Sequence, residues 1–139
     1  MFILDTNVLS ELMRPAPSDA VLRWVAGHSA ASLFTTTVTQ AEILFGLALL
    51  PEGRRRSDLL TAAEQMFAED FAGRVLPFDA AAATAFAPIA AGRRQKGQPT
   101  GAFDAQIAAI AASRDAALAT RNVADFLDCG FPIVNPWES

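Results

Sequence analysis

The sequence is poor in the residues that most metal and nucleophile motifs require. Its 139 residues contain one cysteine and one histidine, which excludes internal disulfides and leaves a cysteine–histidine zinc site without enough ligands. Neither standard glycine-rich phosphate loop is present. His28 falls at the end of a predicted helix, where histidine commonly complements the helix dipole, and Cys129 has no neighbouring cysteine. We therefore expect both residues to be structural.

Long apolar runs are also missing. The longest, 43–50 and the alanine-rich 80–91, are shorter than the ~20 residues that a membrane-spanning helix needs. No basic segment precedes the N-terminal apolar run, and Asp5 interrupts it, so we expect no signal peptide. With 52% hydrophobic and 19% charged residues, the composition predicts one folded domain over residues 1–139. The single cysteine favours a cytoplasmic location.

Positive charge is scarce, and the net charge of -4 argues against a nonspecific nucleic-acid-binding protein. Two short basic clusters stand out, Arg54–Arg56 and Arg93–Lys96, and Lys96 is the only lysine. Each cluster is compatible with a solvated helix face, with contact to phosphate, or with contact to another protein chain. The acidic total still permits chemistry on nucleic acids if some of the carboxylates bind metal ions.

Short β-prone runs alternate with helical patterns along the whole chain. They predict strands at 2–5, 32–36, 74–77, 116–120 and 132–135, and helices at 6–13, 18–27, 37–51, 53–71, 79–94, 102–113 and 123–128. We expect Thr37 or Thr39 to cap the third helix, and Pro88 to kink or split the fifth. Residues 95–101 form the clearest loop. This order predicts an α/β fold with a five-stranded parallel sheet covered by helices on both faces.

Asp5 is the most informative single residue. It follows the apolar run at 2–4, so its carboxylate lies at the carboxyl end of a buried strand, where open α/β sheets bind their ligands. A carboxylate in that place is costly to desolvate without a cation nearby. Taken alone, Asp5 is better explained as a helix cap. The positions of the other acids favour a site residue instead.

Three further carboxylates fall at comparable positions. Glu42 lies at the edge of the apolar face of the third helix, Asp104 in the first turn of the helix at 102–113, and Asp125 just beyond the fourth strand. Each of these acids, taken alone, has an ordinary explanation as an exposed acid or as one that complements a helix dipole. For all of them to be ordinary, several acids would have to fall at sheet-edge or helix-start positions by coincidence. Acids gathered at one sheet edge raise each other's pKa and need a cation, and oxygen-only ligands favour Mg²⁺ or Mn²⁺.

Several blocks of the sequence resemble the PIN-domain family, and most closely the VapC group of ribonuclease toxins. The blocks occur in the family's order and are Ile3-Leu4-Asp5-Thr6-Asn7, Ala41-Glu42-Ile43 with Gly46, Asp104-Ala105-Gln106-Ile107-Ala108-Ala109, and Ala119-Thr120-Arg121-Asn122 through Asp125-Phe126. The segment from Gly46 through Leu50-Pro51-Glu52-Gly53-Arg54-Arg55 also resembles a segment of that group. The resemblance spans nearly the whole chain.

This resemblance implies a PIN-like three-layer fold and a cytoplasmic homodimer that is the toxin of a type II toxin–antitoxin pair. It implies Mg²⁺- or Mn²⁺-dependent endoribonuclease activity that hydrolyses RNA phosphodiester bonds, and inhibition by a cognate small antitoxin with a DNA-binding head. Because a carboxylate pocket is a ready receptor for a guanidinium, we expect the antitoxin's tail to place an arginine there and to cover the helices at 9–12 and 44–47.

By position, Asp5, Glu42 and Asp104 match the family's metal-binding acids. The fourth acid has two candidates, because this chain has Asn122 where many relatives have aspartate, and Asp125 follows three residues later. Asn122 would orient a metal-bound water, whereas Asp125 would supply charge through water. Hydrogen bonds to the ligands or to the scissile phosphate are expected from Thr6, Asn7 and Thr120.

Two other functions compete with the nuclease. A receiver-like signalling domain needs an aspartate at the end of its third strand and a lysine near the fifth, but here the third strand ends at Leu76-Pro77-Phe78-Asp79 and Lys96 lies in the glycine-containing loop. A noncatalytic member of the fold that only binds a partner is the second alternative. The presence of Asp5, Glu42 and Asp104 argues against it.

Overall fold

The computed structural model describes residues Met1–Ser139, and its elements follow the predicted order. The strands and helices are β1 Phe2–Leu4, α1 Thr6–Leu12, α2 Asp19–Ala26, β2 Leu33–Thr36, α3 Thr37–Ala48, α4 Arg54–Gln65, β3 Val75–Leu76, α5 Ala80–Gln95, α6 Ala102–Ser113, β4 Ala117–Ala119 and β5 Ile133–Val134. A π-helical turn at Met66–Asp70 extends α4, and 3₁₀ turns lie at Ala30–Ser32 and Val123–Phe126. All predicted strands form, each slightly shorter than expected. None of the helices is long and apolar enough to cross a membrane.

The five strands form one parallel sheet in the order β3-β2-β1-β4-β5. The chain moves outward from β1 through β2 to β3 and then crosses to the other side of β1 with β4. The connections that leave β1 and β4 therefore diverge, which creates the crevice where open α/β sheets bind ligands. The Asp5 N–H donates to the Ala119 carbonyl at 2.9 Å and holds the ends of these two strands together.

The sheet separates two apolar cores, and this arrangement confirms the predicted three-layer fold. Ile3 and Leu4 are successive residues of β1, so they point to opposite faces of the sheet, and both are fully buried. The core on the Ile3 side contains Ile107, Ile110, Leu118 and Phe126. The core on the Leu4 side contains Val8, Leu9, Val21, Trp24 and Phe67.

The expected cap of α3 is wrong. The cap of α3 is Thr36, whose hydroxyl accepts a hydrogen bond from the Thr39 N–H at 3.0 Å. Because β2 continues directly into α3, the last strand residue has the extended backbone that an N-cap requires. Of the two outcomes expected at Pro88, a kink or a split, the split does not occur, because α5 continues from Ala80 to Gln95 while it packs along α6. Packing against a neighbouring helix compensates for the hydrogen bond that proline cannot make.

Candidate active site

A polar cavity of about 540 Å³ opens at the carboxyl ends of β1 and β4. A single apolar residue contributes to its wall, and the lining residues are Asp5, Thr6, Asn7, Ser10, Glu11, Arg14, Glu42, Asp104, Arg121, Asn122 and Trp137. Asp5, Glu42 and Asp104, the three acids that the family resemblance matched to metal ligands, therefore meet in one cavity. Asp5 follows β1 directly, whereas Glu42 lies on α3 and Asp104 on α6, so the three side chains come from parts of the chain that are far apart.

Asp5 is held tightly in place. It is 3% exposed, and its Oδ1 accepts a hydrogen bond from the Thr6 N–H at 2.8 Å. Its Oδ2 accepts from the Thr120 hydroxyl at 2.8 Å and from Asn7 Nδ2 at 3.4 Å. Asp5 is also the N-cap of α1, so the helix cap and the site residue are the same side chain.

Glu42 is anchored by a neighbouring threonine. The Thr6 hydroxyl donates to Glu42 Oε1 at 2.8 Å, and its oxygen lies 3.1 Å from that of Thr39. Thr6 thereby connects the end of β1, where its N–H binds Asp5, with the half-buried carboxylate on α3. Thr6 therefore makes the hydrogen bonds that the sequence led us to expect, and its two partners are the acids Asp5 and Glu42.

Asp104 and Asp125 have no comparable support. Asp104 is half-buried in the first turn of α6. Its carboxylate receives no hydrogen bond, and only burial and neighbouring charges act on it. Asp125 is exposed in the 3₁₀ turn at Val123–Phe126 and does not line the cavity. The positions of both carboxylates therefore depend on the backbone that carries them.

Burial and mutual repulsion disfavour the ionised forms of the acids. Burial raises the pKa of Asp104 to about 6, and the charges of Asp5 and Asp125 add to the effect. The pKa of Asp5 is also raised by burial, against the hydrogen bonds from Thr120 and Thr6 and with further contributions from Glu42 and Asp125. Burial and Asp104 raise the pKa of Glu42. A cation in the cavity would relieve this repulsion.

The donor chemistry of the cavity fits a hydrated hard cation. No group of three or more histidine, cysteine, aspartate or glutamate side chains is already placed to hold a metal ion. Mg²⁺, however, usually keeps several of its waters and is held by only one or two carboxylates. The cavity offers carboxylate, hydroxyl and amide oxygens and has room for those waters. Asp5 and Asp104 are the residues that would hold such an ion, with its waters completing the coordination in place of a closed protein cage.

The two amide side chains of the expected site converge near the end of β4, Asn7 from the first turn of α1 and Asn122 from the segment after β4. Asn7 Nδ2 donates to the Thr120 hydroxyl at 3.3 Å, and the Asn7 Oδ1 accepts from the Arg121 N–H at 3.3 Å. The Asn122 N–H donates to the Thr120 hydroxyl at 3.1 Å. Asn122 lines the cavity, whereas Asp125 acts on the cavity acids through its charge. Both candidates for the fourth position therefore lie near the site.

Sequence reasoning missed the positive rim of the cavity. Arg14 and Arg121 line it, and the Arg121 guanidinium lies 5.0 Å from the centre of the Trp137 ring. Arg14 also makes a 3.4 Å ion pair with Glu11. Arg121 directly follows Thr120, just beyond the carboxyl end of β4. A search for basic as well as acidic residues at strand ends would have found it. Trp137 gave no local signal.

The two basic clusters differ in exposure. Arg93 is buried and binds backbone carbonyls, so this member of the cluster belongs neither to a solvated helix face nor to an exposed binding surface. Its neighbour Lys96 is exposed and pairs with Asp128 at 3.6 Å. Arg54–Arg56 open α4, with Arg55 at the edge of a second cavity. The single histidine is structural as expected, because His28 Nδ1 lies 2.7 Å from the Trp24 carbonyl.

An apolar groove of about 410 Å³ adjoins the acidic cavity. The two share the side chains of Thr6, Ser10, Arg14 and Glu42. The apolar part of the groove lies between α1, α3 and α4 and is lined by Met13, Ile43, Leu47 and Leu59. A ligand that fills this groove therefore reaches the acids from one side.

Comparison with known proteins gives consistent matches along the whole chain. Residues 2–129 match the family model described as PIN domain. The chain is 40% identical to the VapC ribonuclease Y4jK of Sinorhizobium fredii and 36% identical to the toxin FitB of Neisseria gonorrhoeae, covering 99% of both chains in each case. It is also similar to the structure of FitAB bound to an IR36 DNA fragment, with a TM-score of 0.91, 36% identity, and coverage of 99% of this chain and 96% of that one.

Proposed function

This chain belongs to the PIN-domain family, and from that premise we propose that it is the toxin of a toxin–antitoxin pair and a metal-dependent endoribonuclease. The observation that carries the proposal is the meeting of Asp5, Glu42 and Asp104 in one polar cavity at the switch point of the sheet. The names of two relatives, a VapC ribonuclease and the toxin FitB, support it. The receiver alternative loses its basis, because the family match covers residues 2–129.

In the mechanism that we propose, Asp5 and Asp104 hold Mg²⁺ or Mn²⁺, and Glu42 completes the site from α3. An ion of this kind supplies a water of lowered pKa and offsets negative charge on the phosphate. Thr6 and Thr120 keep both oxygens of Asp5 in place before substrate arrives. This preorganisation lowers the reorganisation that the reaction must otherwise include.

The rim arginines supply the affinity for RNA. Arg14 and Arg121 are exposed at the mouth of a cavity whose floor is acidic, so phosphates next to the scissile one can bind at the rim while the scissile phosphate reaches the floor. When water attacks phosphorus in line with the bond to the 3′ oxygen, that bond breaks. The products are then a 5′-phosphate and a 3′-hydroxyl.

The direct test is RNA cleavage by purified protein with Mn²⁺, with sequencing of the new 5′ ends. Asp5→Asn should abolish cleavage, and Asp58→Asn serves as the matched control because Asp58 is exposed on α4 and lies outside both cavities. Cleavage at the wild-type rate by Asp5→Asn would make the site assignment wrong. Failure of the wild type to cleave any RNA with Mn²⁺ would favour the noncatalytic alternative.

We also propose that a small antitoxin with a DNA-binding head covers the cavity and the adjoining groove. The similarity to FitAB bound to DNA supports a partner of this kind. An arginine in its tail would bind Asp5 and Asp104 by forked hydrogen bonds. Within the helices that the tail is expected to cover, Leu9 itself is fully buried, so the apolar tail residues would contact Met13, Leu47 and Leu59 in the groove.

Replacing the tail arginine with alanine tests this mode of inhibition. We expect cleavage to return within the complex, or the complex to weaken measurably. Full inhibition and unchanged affinity would show that the arginine does not occlude the cavity. We further expect the toxin to be a homodimer, which light scattering on the isolated protein measures directly.

A further inference from the structure

Arg93, in the last turn of α5, is a buried cation without a carboxylate partner. It is 8% exposed and takes part in none of the ion pairs of the structure. Its guanidinium instead donates to three backbone carbonyls, from Nε to Gln98 at 3.1 Å, from Nη1 to Leu127 at 2.9 Å and from Nη2 to Ala124 at 3.4 Å. In return, the Gln98 N–H donates to the Arg93 carbonyl at 2.9 Å.

These carbonyls belong to the two segments that carry the unsupported acids. Ala124 and Leu127 lie on either side of Asp125 along the chain, and Gln98 lies in the loop that leads into the first turn of α6, which contains Asp104. One side chain therefore ties both segments to the end of α5.

Burial of this cation is difficult to explain by packing alone. A buried charge that lacks a counter-charge is costly, and an apolar side chain would fill the same space without that cost. What arginine adds is a planar fork of five N–H donors with fixed directions. The three carbonyls belong to exposed residues and would otherwise bind water, so Arg93 determines where they lie relative to one another.

That placement matters because no side chain donates a hydrogen bond to either carboxylate. Neither the Asp104 nor the Asp125 carboxylate has a hydrogen-bonded side chain like those that hold Asp5. The charge of Asp125 nevertheless acts on both Asp5 and Asp104, so the turn that carries it lies within electrostatic reach of the cavity.

We propose that Arg93 is a positioning residue that holds the segments of Asp104 and Asp125 at the metal-binding cavity through three backbone carbonyls. The inference rests on the proposed function. Arg93 contacts neither RNA nor the ion and acts on cleavage only through the placement of these acids.

Arg74 provides a matched control. It precedes β3, and its guanidinium also donates to three backbone carbonyls, those of Ala30, Leu33 and Asp70. These carbonyls lie at the β3 edge of the sheet, and none of the four residues lines the acidic cavity. Loss of Arg74 therefore reports what removing a carbonyl-binding arginine does to the fold alone.

The experiment compares Arg93→Met, Arg93→Lys and Arg74→Met with the wild type at a temperature where circular dichroism shows each protein folded. Calorimetry gives the Mn²⁺ affinity, and RNA cleavage gives kcat and KM. We expect Arg93→Met to weaken Mn²⁺ binding and lower kcat, each by about tenfold, with a smaller change in KM. Arg93→Lys should fall between Arg93→Met and the wild type, because one ammonium cannot reach all three carbonyls. Arg74→Met should lower the melting temperature without changing the Mn²⁺ affinity.

A double-mutant cycle with Asp125→Asn separates positioning from maintenance of the fold. If Arg93 acts through the turn of Asp125, Arg93→Lys should cost less Mn²⁺ affinity in the Asp125→Asn background than in the wild type. Unchanged Mn²⁺ affinity in Arg93→Lys, or full additivity in the cycle, would overturn the proposal. Arg93→Lys also carries the test if Arg93→Met does not fold. A wild type that neither binds Mn²⁺ nor cleaves RNA would overturn the proposed function instead.

Discussion

The acids in and around the cavity form two halves that are built differently. In the strand half, Asp5 and Glu42 receive hydrogen bonds from Thr6 and, for Asp5, also from Thr120. In the helix half, Asp104 and Asp125 receive none from side chains. The strand half is held by residues that continue the paired strands. The acids of the helix half lie on α6 and on a 3₁₀ turn, in segments whose carbonyls accept hydrogen bonds from Arg93.

Hydrogen bonds fix the positions of the carboxylates in the strand half, whereas burial and charge repulsion dominate at Asp104 in the helix half. The strand half is already arranged for a ligand, because its hydrogen bonds hold the carboxylates whether or not a cation is present. In the helix half, burial and neighbouring charges act on Asp104 without opposition, and its pKa rises to about 6. We therefore expect a cation to affect the helix half more than the strand half.

The largest expected effect is on cleavage. Asp5→Asn and Asp104→Asn should each lower the RNA cleavage rate by about a thousandfold, since each removes a negative side chain that we propose holds the ion, an effect of several kcal/mol. Single-turnover cleavage with Mn²⁺ measures both. If only Asp5→Asn were inactive, the helix half would be dispensable for catalysis.

Metal binding should stabilise the folded protein. Mn²⁺ at about 100 times its Kd should add about 2.7 kcal/mol to the free energy of unfolding, because it binds only the folded state. Thermal denaturation with and without Mn²⁺ measures the shift. The triple substitution of Asp5, Glu42 and Asp104 should remove it, and a shift that survives the triple substitution would place the metal elsewhere.

Asp125→Asn should have an intermediate effect. We expect about a tenfold loss of cleavage, or about 1.4 kcal/mol, because Asp125 is exposed and acts on the cavity through its charge. Parallel rate measurements on Asp104→Asn provide the comparison. A loss as large as that of Asp5→Asn would make Asp125 a direct ligand and Asn122 a residue of the rim.

The stability of the metal-free protein should distinguish the two halves at pH 7. Asp104→Asn should raise the melting temperature by roughly 2 °C, because it removes repulsion and breaks no hydrogen bond, and solvent screening keeps the gain small. Asp5→Asn should give a smaller gain or a loss, because one amide oxygen replaces two accepting carboxylate oxygens. Equal gains in EDTA would contradict the difference between the halves.

The smallest effect concerns pH. The pKa of Asp104 is about 6 in the folded state against 3.8 ordinarily, so the folded state binds more protons than the unfolded state between these values. Its contribution to the free energy of unfolding is therefore fully present below about pH 3.8 and is lost as the pH rises through about 6. Urea denaturation in EDTA should show this decline in the wild type. Asp104→Asn should flatten it, and an unchanged profile would contradict the assignment.

Much of the fold was predictable because local patterns carry it. The alternation of short apolar runs with helical patterns predicted all five strands and the parallel three-layer arrangement. Two helix details could not be predicted in full, because they depend on the elements that adjoin the helix as well as on its own residues. Thr36 caps α3 because β2 runs directly into that helix, and α5 continues through Pro88 while it packs along α6.

In the candidate site, too, some residues were predictable from local sequence and others depend on tertiary contact. The acids at a strand end or in the first turn of a helix could be found from position alone, as Asp5 and Asp104 were. Arg93 was misjudged, because a basic cluster in sequence indicates exposure and does not reveal that one of its members points inward. Trp137 reaches the cavity rim from the C-terminal segment, and no local pattern marks it.

The sequence by itself determined which residues form strands and helices and which acids follow them, because both depend on side-chain periodicity and on neighbours along the chain. The tertiary structure alone decided the strand order, and with it the proximity of the ends of β1 and β4. It also decided that Thr6 and Thr120 hold the strand half while Arg93 binds the segments of the helix half. Thr6–Asp5 and Arg93–Gln98 are local pairs, but Thr6–Glu42, Thr120–Asp5 and the bonds from Arg93 to Ala124 and Leu127 join residues that are distant in sequence. Only the packing of elements brings these distant partners within hydrogen-bonding distance.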